Sequence, residues 1–352
     1  MRREEEQLLN DKNSFNKDLH DWYKRCHRKL PWRTEPGLYK TVVSEFMLQQ
    51  TQVDTVLPYF HRWLEIFPDF KTLSAAQEED VVKQWEGLGY YSRARNLHKL
   101  SKELLKLDLI PTTPEEWIKF PGVGPYTAAA ITSIGFSYPA AVVDGNVIRI
   151  LTRLSANELE FKDGGSAVKS LTPLANALLQ ELDPNTHNQA VMELGATVCT
   201  KANPLCTVCP VVQYCQASKK GIAEQLPKLM GKKIENIKVN RLWMVSENNL
   251  LLQKKPSSSK RLANMYELPE IQEDQIKFFE EKSFAIKKRG ISNQRIEESI
   301  YRGNQKNKTT LNLDENMEWI AITKLHEITL SGPHRRWISE ILEQDTDLKA
   351  QN

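Results

Sequence analysis

Four of the five cysteines fall in one short run, Cys199-x6-Cys206-x2-Cys209-x5-Cys215, and this spacing constrains the chain more than any other feature. Pro204 and Pro210 bend the loop around them. Four thiols this close together are more readily a metal site than a pair of disulfides in a chain expected to stay inside the cell. Structural zinc usually draws its ligands as two close pairs across a longer spacer, whereas here a single x2 pair sits between unequal gaps. An iron-sulfur cluster held by Cys199, Cys206, Cys209 and Cys215 is therefore favoured over zinc. Cys26 stands far away among basic residues and reads as an ordinary free thiol. The first role expected of such a cluster is structural, with Lys201, Lys219 and Lys220 placed to offer positive charge to a phosphate backbone.

Upstream of that loop the pattern is helical, with apolar residues three and four apart, as in Val53, Val56, Leu57, Phe60, Trp63 and Leu64. Breakers at Pro31, Pro68, Gly87, Gly89, Pro111, Pro121, Pro139 and Pro184 cut it into many short helices. A length of 352 residues suits two domains at roughly 150 residues each. The spacing predicts a helical domain over 13–218, with the cysteine loop at 199–215, then a basic linker over 219–238 and a smaller mixed α/β domain over 239–345. In that second domain Leu242 to Val245, Leu250 to Leu252 and Glu298 to Tyr301 read as strands, and Trp337 to Leu342 as a closing helix. The start, Met1-Arg2-Arg3-Glu4-Glu5-Glu6, has the wrong composition for a targeting segment. The most apolar stretch, Thr127 to Val143, is interrupted well short of the ~18 apolar residues of a membrane span, so a soluble, cytoplasmic chain is expected.

The net charge of +3 matters less than where the charge sits. Lys24, Arg25, Arg28, Lys29 and Arg33 form one basic run, and Arg93, Arg95, His98, Lys99 and Lys102 a second beside Tyr90 and Tyr91. Both read as phosphate-facing strips, or else as solvated helix faces. Between helical stretches, Phe120-Pro121-Gly122-Val123-Gly124-Pro125-Tyr126-Thr127 forms a glycine hairpin. Gly122 and Gly124 allow backbone conformations that let the N–H groups of the next helix point at a phosphate.

Two carboxylates have contrasting settings. Glu45 lies in Val42-Val43-Ser44-Glu45-Phe46-Met47-Leu48 with no basic residue three or four positions away. It either points to solvent or is a buried acid with a raised pKa, able to act as a general acid. Asp144 sits where the helix Gly145 to Leu151 begins, as a simple cap or as a carboxylate that the helix terminus keeps ionised. One protonated and one ionised carboxylate is the pairing that breaks glycosidic bonds.

The glycine hairpin, Val143-Asp144-Gly145 and the cysteine spacing together resemble the helix-hairpin-helix DNA glycosylases of the endonuclease III type. Leu30-Pro31-Trp32-Arg33, Ser44 to Val53 and Gly87 to Asn96 resemble the MutY-type adenine glycosylases, and the likeness is dense over about residues 20 to 227. It implies a mainly α helix-hairpin-helix domain with a cluster loop, followed by a smaller α+β Nudix-like domain. It also implies one four-iron four-sulfur cluster and a substrate of duplex DNA carrying adenine opposite 8-oxoguanine or guanine. The setting it implies is the bacterial cytoplasm at the nucleoid, with the chain acting as a monomer. In such a protein Glu45 protonates the purine's imidazole ring and Asp144 stabilises the sugar cation. Tyr126 and Asn146 orient the two, and Trp32, Arg33, Leu48 and Gln189 hold the extruded base. Gln50 and Tyr90 match wedges beside the opposite base. Tyr126 stands where strand-cleaving relatives carry an attacking lysine, which implies hydrolysis without strand cleavage. In the second domain Ile291-Ser292-Asn293 aligns with an 8-oxoguanine-reading triad, leaving Ser292 as the candidate contact. A pyrimidine- or thymine-specific relative, and a non-catalytic iron-sulfur DNA-binding protein, are the alternatives.

Overall fold

The computed structural model describes residues 2–231, 233–259, 261–279, 282–291, 293–303 and 315–344. It forms two compact units that interleave along the chain: Met1–Val56, Phe67–Ser74 and Lys99–Gly231 make the first, and Leu57–Ile66, Ala75–His98 and Lys232–Asn352 the second.

The first unit is helical, and its helices start where the chemistry of their first turns dictates. Pro31, Pro114, Pro125 and Pro184 each occupy a first helical position, where a missing N–H costs nothing. Asp163 and Asp183 accept the N–H of Ser166 and Thr186, so the helices Gly164–Leu178 and Pro184–Thr197 begin on satisfied donors. Pro125–Phe136 is buried continuously from Thr127 to Ser133, as befits a helix apolar on every side. Around it lies a core that includes Phe15, Leu19, Trp22, Ala130, Val143, Ile150, Leu171, Val191 and Leu194. Among the described residues, no helix is long and apolar enough to cross a membrane. A short parallel pairing of Glu160–Phe161 with Lys228–Leu229 brings the chain leaving the cysteine loop back onto this unit.

The second unit is mixed. One four-stranded sheet runs Glu270–Ile271, Glu235–Trp243, Gln294–Arg302, Ala285–Ile291, with the central pair parallel and both outer pairs antiparallel. The strand Glu235–Trp243 begins within the stretch expected to be linker. A second sheet places Asn249–Lys254 between Met317–Ala321 and Val245–Ser246, and the helix Gly332–Gln344 follows. Trp243, Leu250, Leu252, Ile300, Ile338 and Ile341 share one core in this unit. Period-2 burial in Gln294–Arg302 turns Ile296, Glu298 and Ile300 inward. Glu298 is tolerated there because Arg241 Nε donates to it at 2.6 Å, and Glu267 and His334 join the same buried cluster.

Candidate active site

Three helices of the first unit bring the expected carboxylates together. Glu45 comes from Leu38–Leu48, a helix buried from Thr41 through Met47, so its carboxyl has no route to water along its own element. Tyr126 is the second residue of Pro125–Phe136, and Asp144 caps Gly145–Leu154. Burial drives the Glu45 pKa up. The Tyr126 hydroxyl bond and the Arg33 cation oppose this, the Asp144 charge adds to it, and the carboxyl settles at about 7. Its Oε2 is buried without a hydrogen-bond partner. The Tyr126 hydroxyl lies within reach of both Glu45 and the Met192 sulfur, the latter at 3.2 Å.

Asp144 accepts the Val147 N–H at 2.8 Å and the Asn146 side-chain amide at 3.1 Å. The expectation that its helix terminus alone would keep it low in pKa needs correction. Burial outweighs the capping bonds and the Arg149 charge, and the net shift is upward. Burial thus raises both acids, and the Asp144 charge adds to the rise at Glu45. Asp144 holds two donors aimed at its ionised form while Glu45 keeps an oxygen without one, so of the two acids Glu45 is the one built to carry a proton.

Behind Asp144 a chain of hydrogen bonds leads to the cysteine loop. Arg149 donates to Asn146 Oδ1 at 2.8 Å and to the Cys199 carbonyl at 2.7 Å, and Arg153 Nη1 donates to Cys199 Sγ at 3.3 Å. Cys199, Cys206, Cys209 and Cys215 all line one cavity, together with Arg153, Val198 and Pro204. Among the described residues no three or more His, Cys, Asp or Glu side chains gather closely enough to hold a single ion. Thiolates sharing one zinc at ~2.3 Å would have to lie within about 4 Å of each other. Burial, and the neighbouring thiols, push Cys209 up to about 12, so a thiolate at that position would need a positive neighbour.

The residues expected around an extruded base lie in the same unit. Trp32 is buried, Leu48 is half-buried, and Gln189 accepts from the Tyr23 hydroxyl at 3.1 Å while donating to Asn185 at 2.5 Å. Arg33 sits over the Tyr23 ring and donates to Glu193 at 2.9 Å.

Comparison with known proteins matches residues 43–163 to the HhH-GPD superfamily of base excision DNA repair proteins. The chain is 34% identical over 265 residues to an adenine DNA glycosylase of Buchnera aphidicola subsp. Schizaphis graminum, spanning 72% of this chain and 74% of that one. The chain belongs to the adenine DNA glycosylase family. Its relative in Schizosaccharomyces pombe, also named adenine DNA glycosylase, is 40% identical over 225 residues, and that of Mus musculus is 42% identical over 236. These matches span 49% and 45% of those longer relatives, so the chain covers about half their length. Among solved structures, a thermostable thymine-DNA glycosylase superposes with a TM-score of 0.52 at 24% identity, covering 60% of this chain and 99% of that one. An endonuclease III–DNA complex gives 0.50 at 21%, covering 61% and 98%. Both show the endonuclease III-like helical fold.

This member of the adenine DNA glycosylase family carries its two expected wedge residues on strained backbone. Gln50 and Tyr90 have φ of 58° and 48°, in the left-handed region that non-glycine residues rarely enter, and both side chains are exposed. Gly122 likewise has φ 77°, which the hairpin requires of glycine. Gly124 corrects expectation: as helix cap it is extended, with φ −94°, and a Cβ there would meet nothing within 4 Å. What it leaves is open space at the helix start, not a special conformation.

Each basic strip divides into paired and exposed members, with Lys99 and Lys102 exposed in the second. Arg93 is buried against Trp85 and Tyr90 and donates to the Leu88 and Gly89 carbonyls. Arg95 pairs with Glu78 and the Ala263 carbonyl, and His98 is buried. In the first strip Arg33 turns inward to Glu193 and the part-exposed Arg28 bonds to the same carboxylate, leaving Lys24, Arg25 and Lys29 exposed. Ser292 lies outside the described residues. Sequence reasoning missed Met192, Glu193 and Arg149. Met192 and Glu193 lie three and four residues after Gln189 on the helix Pro184–Thr197, the spacing of one helical face, and that was the available signal.

Proposed function

We propose that the chain is a monofunctional DNA glycosylase that hydrolyses the bond between adenine and deoxyribose where adenine lies opposite 8-oxoguanine or guanine. The observation that carries this reading is the pairing of a buried Glu45, held at about 7, with a doubly bonded Asp144 and with Tyr126 between helix start and acid. Glu45 passes its proton to the imidazole ring of the flipped purine, so adenine leaves neutral. Asp144 faces the oxocarbenium-like sugar with its negative charge, while Asn146 and the Val147 N–H fix its orientation. Tyr126 offers no amine, so no Schiff base forms and the strand stays intact.

Trp32, Arg33, Leu48 and Gln189 form the base pocket, Gln50 and Tyr90 support the opened duplex, and Gly122 and Gly124 let backbone N–H groups approach a phosphate. Cys199, Cys206, Cys209 and Cys215 would hold one four-iron four-sulfur cluster, for which four thiols lining one cavity and the Arg153 contact to sulfur are suited. Such a cluster would clasp the loop structurally, since glycosidic hydrolysis transfers no electron. The α+β region after the linker is read as a Nudix-like domain that recognises 8-oxoguanine through Ser292. No membrane contact and a monomeric state complete the proposal.

The test is single-turnover base release from duplexes that pair A, T or C with G or 8-oxoguanine. Release of adenine alone, fastest opposite 8-oxoguanine, supports the reading. Release of thymine or cytosine instead would assign the pocket to a pyrimidine.

A further inference from the structure

Glu193 takes no part in the chemistry just described, yet it is the most heavily paired carboxylate of the first unit. Its side chain is fully buried. It accepts from Arg28 through Nε at 2.8 Å, Nη2 at 2.9 Å and the backbone N–H at 3.0 Å, and from Arg33 Nη1 at 2.9 Å. Arg33 is itself nearly buried, its guanidinium 5.6 Å from the centre of the Tyr23 ring. Tyr23 in turn donates to Gln189, one turn before Glu193 on the same helix. One helical face thus supplies Gln189 to the base pocket, Met192 to the Tyr126 hydroxyl and Glu193 to Arg33.

We propose that Glu193 is a positioning residue of this site: its carboxylate fixes the Arg33 guanidinium in the base pocket and offsets part of the positive charge that Arg33 directs at Glu45. A buried cation held without a counter-ion would be costly, and one free to swing toward Glu45 would favour its ionised form. The charged and titratable groups facing Glu45 are Tyr126 from Pro125–Phe136, Asp144 at the cap of Gly145–Leu154 and Arg33 from Pro31–Thr34, so Glu193 acts on the acid only through Arg33. Its own carboxyl is held at about 2: burial alone would raise it, but the Arg28 and Arg33 bonds and charges prevail, and it stays anionic at every pH where the enzyme could work. The pocket thereby gains a rigid, planar donor for the base without forfeiting its acid.

The inference rests on the acid role proposed for Glu45, and its test keeps the two separable. Single-turnover adenine release by the full chain is measured against pH for wild type, Glu193→Gln, Arg33→Met and the double variant, reading the midpoint of the alkaline fall and not the height of the plateau. Glu193→Gln is expected to move the midpoint down by about one unit, about a tenfold loss relative to its own plateau at alkaline pH. Arg33→Met should move it up, and the double variant should return toward wild type. An unmoved midpoint in folded Glu193→Gln overturns the proposal; if that variant does not fold, an unmoved or lowered midpoint in Arg33→Met does so. Arginine side-chain NMR gives a readout independent of activity. A slowly exchanging guanidinium signal that vanishes in Arg33→Met should collapse in Glu193→Gln, and its persistence there counts against the proposal. A wild-type chain releasing no adenine would instead remove the role of Glu45, leaving the NMR result to judge Glu193.

Discussion

Replacing Tyr126 by Phe removes one of the two influences that hold the Glu45 pKa down, and the size of the effect can be worked from the site. Burial and the Asp144 charge push the acid up, the Tyr126 hydroxyl and Arg33 pull it back, and the balance lies at about 7. A hydrogen bond to a charged group contributes about 1.5–3 kcal/mol, and one pKa unit corresponds to about 1.36 kcal/mol. Part of that bond also serves the protonated acid, so a rise of about one unit, to about pH 8, is expected. Protonated Glu45 in wild type falls from about nine-tenths at pH 6 to about one-tenth at pH 8, whereas in Tyr126→Phe about half remains at pH 8. The ratio of variant to wild-type rate should therefore climb about fivefold between those pH values, on a plateau lowered by the loss of positioning. Single-turnover adenine release across that range measures it. A ratio that stays flat or falls with pH would show that Glu45 is not the acid, or that Tyr126 does not bond to it.

Three further outcomes follow from other parts of the molecule. Asp144→Asn should lower adenine release by at least about a thousandfold, since the charge facing the sugar cation is lost, while mismatch binding in a gel-shift assay changes little; retained turnover would exclude its role. Gly122→Ala forces a side chain into φ 77°, and thermal unfolding should show a loss of about 1–2 kcal/mol together with weaker binding to undamaged duplex. Glu267→Gln leaves Arg241 and Arg289 short of a buried partner and should destabilise the second unit by about 3–5 kcal/mol. With the Glu267 carboxyl held at about 2, that stabilisation is complete above the ordinary carboxylate range and is lost as pH falls toward 2, so the wild-type advantage in an acid melt should shrink there.

The parts of this site that were legible in the sequence are those encoded locally. The cysteine spacing, the proline-punctuated helices and the glycine hairpin are written over a few residues each. So is the isolation of Glu45, visible as an absence of bases one turn away. What escaped is long-range. Arg33 and Glu193 are separated by 160 positions, so the buried carboxylate that holds Arg33 in place could not be read beside it. Arg93 is a different case: its aromatic and carbonyl partners are close in sequence, but they meet its guanidinium only through the backbone path of the Gly87 to Tyr91 turn. The left-handed backbone at Gln50 and Tyr90 leaves no trace in residue type. The upward shift of Asp144 depends on burial, which competes with a capping position that the sequence does display. In the strand Gln294–Arg302, Glu298 at an inward position contradicts simple alternation and makes sense only beside Arg241.

The central claim is that Glu45 and Asp144, with Tyr126 in place of an amine, hydrolyse the adenine glycosidic bond and do nothing further. Its most direct measurement follows one duplex carrying adenine opposite 8-oxoguanine, quantifying free adenine and strand integrity in the same samples before and after alkali. Stoichiometric adenine with a strand that breaks only on alkali is the predicted result. A strand nicked before alkali at the rate of base loss, or no adenine released at all, would contradict it.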